Sequence, residues 1–156
     1  MYSKQMIAGW SDMDFNGHMK NTAFIDRAAD VRLMFFAENG FPVAEFARLR
    51  LGPVIVREEI DYRKEVNLLD PIEVTLALGG LSPDASRWLL ETNVRRDGKL
   101  CSRIRASGAW LALDARRMAT PPPALRAALE KLEQTADFET LRSAVRPTST
   151  GTLSLD

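Results

Sequence analysis

Apolar residues recur at Phe24, Ala28, Val31, Met34 and Phe35, at spacings of three and four, while Asp26, Arg27, Asp30 and Arg32 fall elsewhere on the wheel. That spacing predicts an amphipathic helix from about Thr22 to Glu38. Asn21 or Thr22 suits its N-cap, Asn39-Gly40 its end, and Pro42 blocks continuation. At 1.5 Å per residue the rod is roughly 25 Å long. A short helical turn, Val43 to Leu49, is expected next. Ahead of the rod, the apolar stretch Ile7 to Trp10 reads as the close of a first strand. A polar loop with one glycine, Ser11 to Asn21, joins the two.

Beyond Gly52-Pro53 the period changes to two, the mark of half-buried strands. Val54, Val56, Ile60 and Tyr62 alternate with Arg57, Glu59, Asp61 and Arg63, and Glu58 falls on the apolar side. Ile72 to Leu78 and Trp88 to Val94 alternate likewise, and Leu100 to Leu113 forms a last long strand. Asp70-Pro71, Gly79-Gly80 to Pro83-Asp84 and Asp97-Gly98 supply the turns. Consecutive strands with short turns predict an antiparallel meander. Strands of roughly 33 Å are long enough to wrap the helix. Pro121-Pro122-Pro123 ends the sheet and opens a short helix, Ala124 to Leu132. The expected architecture is α+β: one five-stranded antiparallel sheet around one long helix, with a short C-terminal helix. Residues 1–142 read as one domain and 143–156 as a loosely held Ser/Thr-rich tail. Such a sheet keeps bare edges, which dimerisation covers.

Composition narrows the class. With 46% hydrophobic and 27% charged residues, the chain is not a disordered one. No run approaches the roughly 18 uninterrupted apolar residues of a membrane helix. Met1 to Gln5 lacks the build of a signal peptide. A single cysteine, Cys101, and a single histidine, His18, exclude an intrachain disulfide and a Cys/His zinc site. A reduced, cytoplasmic protein with no metal and no membrane partner is expected. Cys101, Trp88 and Trp110 read as packing residues. The 21 basic and 21 acidic residues cancel, which argues against nucleic-acid binding. Residues 87–117 nevertheless hold eight basic against three acidic. Those arginines are either a solvated sheet face or a grip for a phosphorylated ligand.

The loop before the helix carries the chemistry. Asp12 and Asp14 are two residues apart, so on extended backbone one faces a pocket while the other makes structural bonds. Gly17 permits a tight turn, and the helix start beyond it offers free N–H groups. A carboxylate beside such donors suits hydrolysis of an activated acyl group: the donors hold the oxyanion and the carboxylate attacks or activates water. Plain helix capping is the competing use of the same residues.

The run Trp10-Ser-Asp-Met-Asp14-Phe-Asn-Gly17-His18-Met-Lys-Asn21, with Phe24 and Arg32 beyond it, resembles the signature of hotdog-fold acyl-CoA thioesterases. The subgroup is the one similar to 4-hydroxybenzoyl-CoA thioesterase, whose motif reads D-x-D-x-x-G-H-V-N-N. The likeness continues through Val56 to Tyr62, Asp70 to Val74 and Arg95 to Gly98. It implies a hotdog fold, a homodimer or dimer of dimers with shared sites, and hydrolysis of an acyl-CoA substrate without a cofactor, coenzyme A being part of the substrate. Asp14 matches the catalytic carboxylate, Gly17 the glycine before the helix, and Asn21 the backbone N–H that polarises the thioester carbonyl. Asn16 stands with Gly17 in the substrate-binding turn. His18 matches the motif's histidine, with a catalytic role and a structural ring bonded to backbone both open. Lys20 and Met19 depart from the motif, and Phe24 stands where tyrosine is frequent, which removes a phenol from that position. Glu58 is either an acid in the pocket or a salt-bridged interface residue, and Arg103 and Arg105 are candidates for the phosphates of coenzyme A. A non-catalytic acyl-ligand-binding protein is the first alternative. A hotdog hydratase or dehydratase, which would need His18 opposite an acid, is the second.

Overall fold

A computed structural model describes residues 1–147 of the chain. Two facts of the sequence dictate its centre: a helix with a broad apolar stripe and strands with one apolar face. Helix α1, Asn21–Glu38, buries Ala23, Phe24, Ala28, Val31, Phe35 and Phe36. Met34 was expected on the stripe but is 41% exposed, and Phe36 takes the inner position instead. The helix begins one residue earlier than the pattern suggested. Its N-cap is Lys20, which makes no side-chain cap hydrogen bond, so the capping roles expected for Asn21 and Thr22 are not used. At the other end, the Asn39 side chain donates to the Phe35 carbonyl. Gly40 turns the chain at φ +90°, and the Phe41 N–H returns to the Phe36 carbonyl.

The strands are β1 (Tyr2–Ile7), β2 (Leu51–Tyr62), β3 (Pro71–Leu81), β4 (Arg87–Arg96) and β5 (Lys99–Ala112), with helix α2 (Val43–Leu49) before β2. The first strand lies earlier than expected, because Trp10–Asp12 folds as a single 3-10 turn. The sheet runs β1-β3-β4-β5-β2, all antiparallel along that path. The meander therefore holds for β3, β4 and β5 only. β2 pairs with β5 at the far edge, and residues 63–70 cross from there to β3. Two short strands were not foreseen. β6 (Arg117–Ala119) pairs with β5, and β7 (Gln134–Thr140) runs parallel to the second half of β3. Helix α3, Pro123–Glu130, lies between them in sequence and buries Leu125, Ala128 and Leu129.

The inner face of the sheet repeats in rows across the register. Val74, Val94 and Ser102 form one row; Leu76, Thr92 and Ile104 the next; Leu78, Leu90 and Ala106 a third. All are buried, and α1 packs on β3 and β5, with Phe36, Phe46, Trp88 and Trp110 gathered as one aromatic group. A bulge in β2 between Ile55 and Arg57 reverses the side on which residues point. Downstream of it Glu58, Ile60 and Tyr62 share the inner face, opposite Ala106, Ile104 and Ser102. Val54 and Val56 therefore do not share a face with Ile60 and Tyr62 as alternation had predicted. Of the proposed tail, Ser143 and Ala144 are docked by hydrogen bonds to Asp84 and Ser86, and residues 148–156 lie outside the described residues.

Trp88 lies under the sheet only because residue 108 has no side chain. A Cβ on Gly108 would stand 2.3 Å from Trp88 Cζ2 and 2.5 Å from the Val54 carbonyl oxygen. Gly108→Ala is therefore expected to lower the unfolding free energy by about 1–3 kcal/mol, an overpacking cost. Urea denaturation checks this; a midpoint equal to that of the wild type would contradict the packing described.

Candidate active site

Three segments meet at the N-terminal end of α1: residues 8–20, the first helical turn, and the 63–70 crossover. Backbone hydrogen bonds stitch them. The Ala8 and Leu69 N–H groups donate to the Asp70 and Ala8 carbonyls, and the Met19 N–H donates to the Val66 carbonyl. His18 and Asn67 form an isolated bridge. Val66 is fully buried and anchors the crossover.

The two aspartates divide their work. Asp12 is 4% exposed. Its Oδ2 accepts from the Gly9 N–H at 2.8 Å and its Oδ1 from Arg27 Nη2 at 2.7 Å. Burial pushes this carboxyl upward. The Arg27 hydrogen bond, the Gly9 N–H and the charges of Arg27 and Lys20 outweigh that and hold it below the usual carboxylate range. Asp12 thus fastens the loop to α1. Asp14 sits at the head of a turn closed by Gly17, whose N–H donates to the Asp14 carbonyl at 3.1 Å. Gly17 has φ +77°, a region that side chains other than glycine rarely adopt. Asp14 Oδ1 accepts from the Asn16 N–H at 2.8 Å and the His18 N–H at 3.3 Å. Its Oδ2 has no partner among the described residues. The carboxylate is held by one oxygen and offers the other.

A cleft of about 360 Å³ opens beside it, lined by Asp14, His18, Asn21, Phe24, Tyr62 and the Arg63-Lys64-Glu65 run. The Asn21 and Thr22 N–H groups have no intrahelical acceptor, and among the described residues no turn or loop hydrogen bond takes them up. They carry the positive end of the helix dipole to the cleft that Asp14 lines. Tyr62 forms the opposite wall. Its ring packs edge-on against Phe24 at 5.7 Å, and its hydroxyl donates to the Asn21 carbonyl at 3.2 Å. The phenol that Phe24 cannot supply is thus present, delivered by β2. The His18 ring pairs with a carboxylate rather than with backbone: Nε2 lies 3.2 Å from Glu65 Oε2.

The other residues singled out from sequence lie elsewhere. Asn16 is exposed in the turn and serves Asp14 through its backbone N–H. Glu58 does not line the cleft. Its charge acts on Arg32, a guanidinium whose pKa burial lowers and which lies 6.0 Å over the Trp88 ring. Arg103 and Arg105 point to the face of β5 opposite Ile104 and Ala106, away from α1. There Arg103 bonds Glu91 at 2.7 Å, and Arg105 lies 3.3 Å from Asp137. These acids already occupy the charges that phosphates would need. Tyr62, Arg63, Lys64 and Glu65 were not foreseen as cleft residues. The signal available was length: eight residues between β2 and β3 exceed a hairpin loop, which takes two to five. Among the described residues, no cluster of three or more His, Cys, Asp or Glu side chains is placed to hold a metal ion, and no helix is long and apolar enough to cross a membrane.

The model of a family described as the thioesterase-like superfamily matches residues 8–129. Solved structures with the same fold include Slr0204, a 1,4-dihydroxy-2-naphthoyl-CoA thioesterase from Synechocystis. It is 16% identical with TM-score 0.76, covering 84% of this chain and 96% of that one. BH1999, a gentisyl-coenzyme A thioesterase, is 16% identical with TM-score 0.73, covering 82% and 99%. SAV2348 from Staphylococcus aureus, solved in complex with CoA, is 19% identical with TM-score 0.76, covering 96% and 90%. At these identities the likeness is one of fold, and the fold is the hotdog. No curated protein matches the chain.

The Asp12–Arg27 pair is expected to hold the site loop. Asp12→Ala should lower the unfolding free energy by about 1–2 kcal/mol at neutral pH, since it leaves Arg27 partly buried with the partly exposed Asp30 as its remaining acid partner. Because the folded carboxyl is depressed, its contribution is complete above the unfolded value of about 3.9 and is lost as pH falls further toward the folded value. Denaturation curves from pH 7 down to 3 should show the gap between wild type and variant closing only below about pH 4. A gap that is absent at pH 7 would show that the pair does not hold the loop.

Proposed function

Because the chain belongs to the thioesterase-like superfamily, we propose that it hydrolyses acyl-CoA thioesters to a carboxylic acid and free coenzyme A. The observation that carries this reading is that Asp14, held by one carboxylate oxygen, and Asn21, whose N–H has no acceptor among the described residues, line one cleft. Two of the solved structures of the same fold are CoA thioesterases and a third holds CoA, which supports the same substrate class.

In this mechanism the thioester carbonyl oxygen rests on the Asn21 N–H at the tip of α1. Asp14 Oδ2 takes a proton from water as the water oxygen bonds to the carbonyl carbon. The negative charge of the tetrahedral intermediate gathers on the oxygen facing the helix, where fixed dipoles stabilise it. Collapse breaks the carbon–sulfur bond, and the proton on Asp14 passes to the departing sulfur. Direct attack by the same oxygen, through a mixed anhydride, is the other route open to this carboxylate. Neither route needs a cofactor. His18, paired with Glu65, stands at the cleft wall and serves to orient that wall. The lone cysteine is buried and its thiol pushed up by burial, which suits a reduced, cytoplasmic setting.

The site is completed by a second copy. β2 ends the order of the main strands, with Ile55 and Val56 exposed along it. Such an edge is covered by antiparallel pairing with its own twin. Tyr62, at the end of that strand, carries the cleft wall, so the twin lies close to the chemistry.

Asp14→Asn is expected to lower turnover by roughly 10²–10⁴-fold in a thiol-release assay, with an unchanged circular dichroism spectrum. An unaltered rate would remove Asp14 from the mechanism. Val56→Asp should convert the wild-type dimer, or dimer of dimers, to monomers in sedimentation and reduce turnover with it; an undiminished mass would place the interface elsewhere.

A further inference from the structure

Asp14 lines two hollows, not one. The second, about 450 Å³, shares Asp14 with the first and is lined besides by Trp10, Met13, Phe15 and Leu68. Trp10 is 83% exposed and Phe15 98% exposed, and Leu68 is exposed beside them. None of the three belongs to the hydrophobic core. Large apolar groups gathered in one exposed patch mark a surface that something covers. Asp14 is the one charged side chain lining this hollow. The first hollow differs in that it holds cations: Arg63 and Lys64 line it beside Phe24 and Tyr62, and its acid Glu65 is paired with His18.

A thioester carbon bears two arms, one leading to the acyl chain and one through sulfur to a thiol. A carboxylate that acts on that carbon needs room for both, and two hollows meeting at Asp14 give it. We infer that the acyl arm lies against Trp10, Phe15 and Leu68, and that the phosphorylated thiol arm leaves past Arg63 and Lys64. The enzyme is then selective for thioesters of bulky apolar acids. The opposite assignment would set phosphates in a hollow whose one charged lining residue among the described residues is the Asp14 carboxylate. This inference rests on the thioester-hydrolase reading above and adds the direction and chemistry of the two arms. Phe15 and Trp10 act on selectivity, without touching the reacting atoms.

The test compares kcat/KM for octanoyl-, benzoyl- and acetyl-CoA and for octanoyl-N-acetylcysteamine, which lacks phosphates. Wild type should favour octanoyl- and benzoyl- over acetyl-CoA by roughly tenfold or more, the scale of one buried apolar group. Phe15→Ala and Trp10→Ala should each cut that preference at least several-fold. The Arg63→Ala/Lys64→Ala double variant should keep the acyl preference and cut the ratio of octanoyl-CoA to octanoyl-N-acetylcysteamine by roughly tenfold. An acyl preference that is absent in wild type, or that survives both aromatic variants, overturns the inference. So does its loss in the Arg63/Lys64 variant instead. A fall in sedimenting mass for Trp10→Ala or Phe15→Ala assigns the patch to a second copy and likewise overturns it. Should no thioester release thiol, the hydrolase reading fails, and calorimetric titration with the thioether octyl-CoA decides the arms by themselves. Wild type should bind it roughly tenfold tighter than coenzyme A, and Phe15→Ala should erase the difference; equal affinities in wild type sink the assignment.

Discussion

The ion pair between buried Asp12 and half-buried Arg27 fixes the loop at the N-terminal end of the central helix. Arg27 belongs to the central helix and Asp12 to the loop that precedes it, so one ion pair ties the two. The same loop segment gives its Asp12 carbonyl to the Lys20 N–H, which closes the loop onto the helix start. A buried pair of this kind contributes less net stability than its Coulomb energy suggests, because both ions lose water. What it gives is position. With Asp12 consumed by the frame, the second aspartate can be anchored by one oxygen and left open at the other. The tip of the helix beside it lacks a side-chain cap, which leaves the Asn21 and Thr22 N–H groups without an acceptor among the described residues.

The rest of the fold serves to bring a wall to that tip. The crossover from β2 to β3 passes over the open end of the sheet, held by the Cys101 carbonyl through the Arg63 and Lys64 N–H groups. This is why residues distant in sequence, Asp14, Asn21 and Tyr62, share one cleft. At the opposite end the aromatic group around Trp110 closes the core, with the Trp110 N–H satisfied by the Ala85 carbonyl at 3.0 Å. One end is filled by rings and the other is left to polar groups and N–H donors. The difference makes one end of the helix structural and leaves the other open on a cleft.

Much of this was legible in the residues. The spacing from Phe24 to Phe35 placed the helix, Asp97-Gly98 placed the β4–β5 hairpin, and the loop from Trp10 to Asn21 pointed to the site. What escaped notice depends on contacts far apart in the chain. Alternation cannot show which strand a strand will pair with, so β2 was set beside β3 rather than β5. One extra residue at the Val56 bulge splits β2 in two, so that Val54 loses the inner face that Glu58, Ile60 and Tyr62 keep. The short strands β6 and β7 exist only as additions to edges that larger strands create. Arg103 and Arg105 looked free because their acids, Glu91 and Asp137, come from a neighbouring strand and from β7.

That last case bears on how charge is read in this protein. The excess of basic residues along 87–117 suggested a phosphate grip, yet an excess counted along the chain is not an excess in space. Glu91 is nearly buried on the outer face and accepts from Arg103, with Arg105 close by. Asp137 adds a second acid to the same pair. Each guanidinium there has already exchanged its water for a carboxylate, and a phosphate would have to displace that partner before gaining anything. Arg63 has only a distant contact with Asp61 at 3.9 Å, and it stands on the crossover beside Lys64. Cations on an exposed loop keep their charge available at little desolvation cost. In a chain with no net charge, Arg63 and Lys64 are cations that line the Asp14 cleft without a close acid partner among the described residues, and the proposed function gives them the anionic substrate to meet.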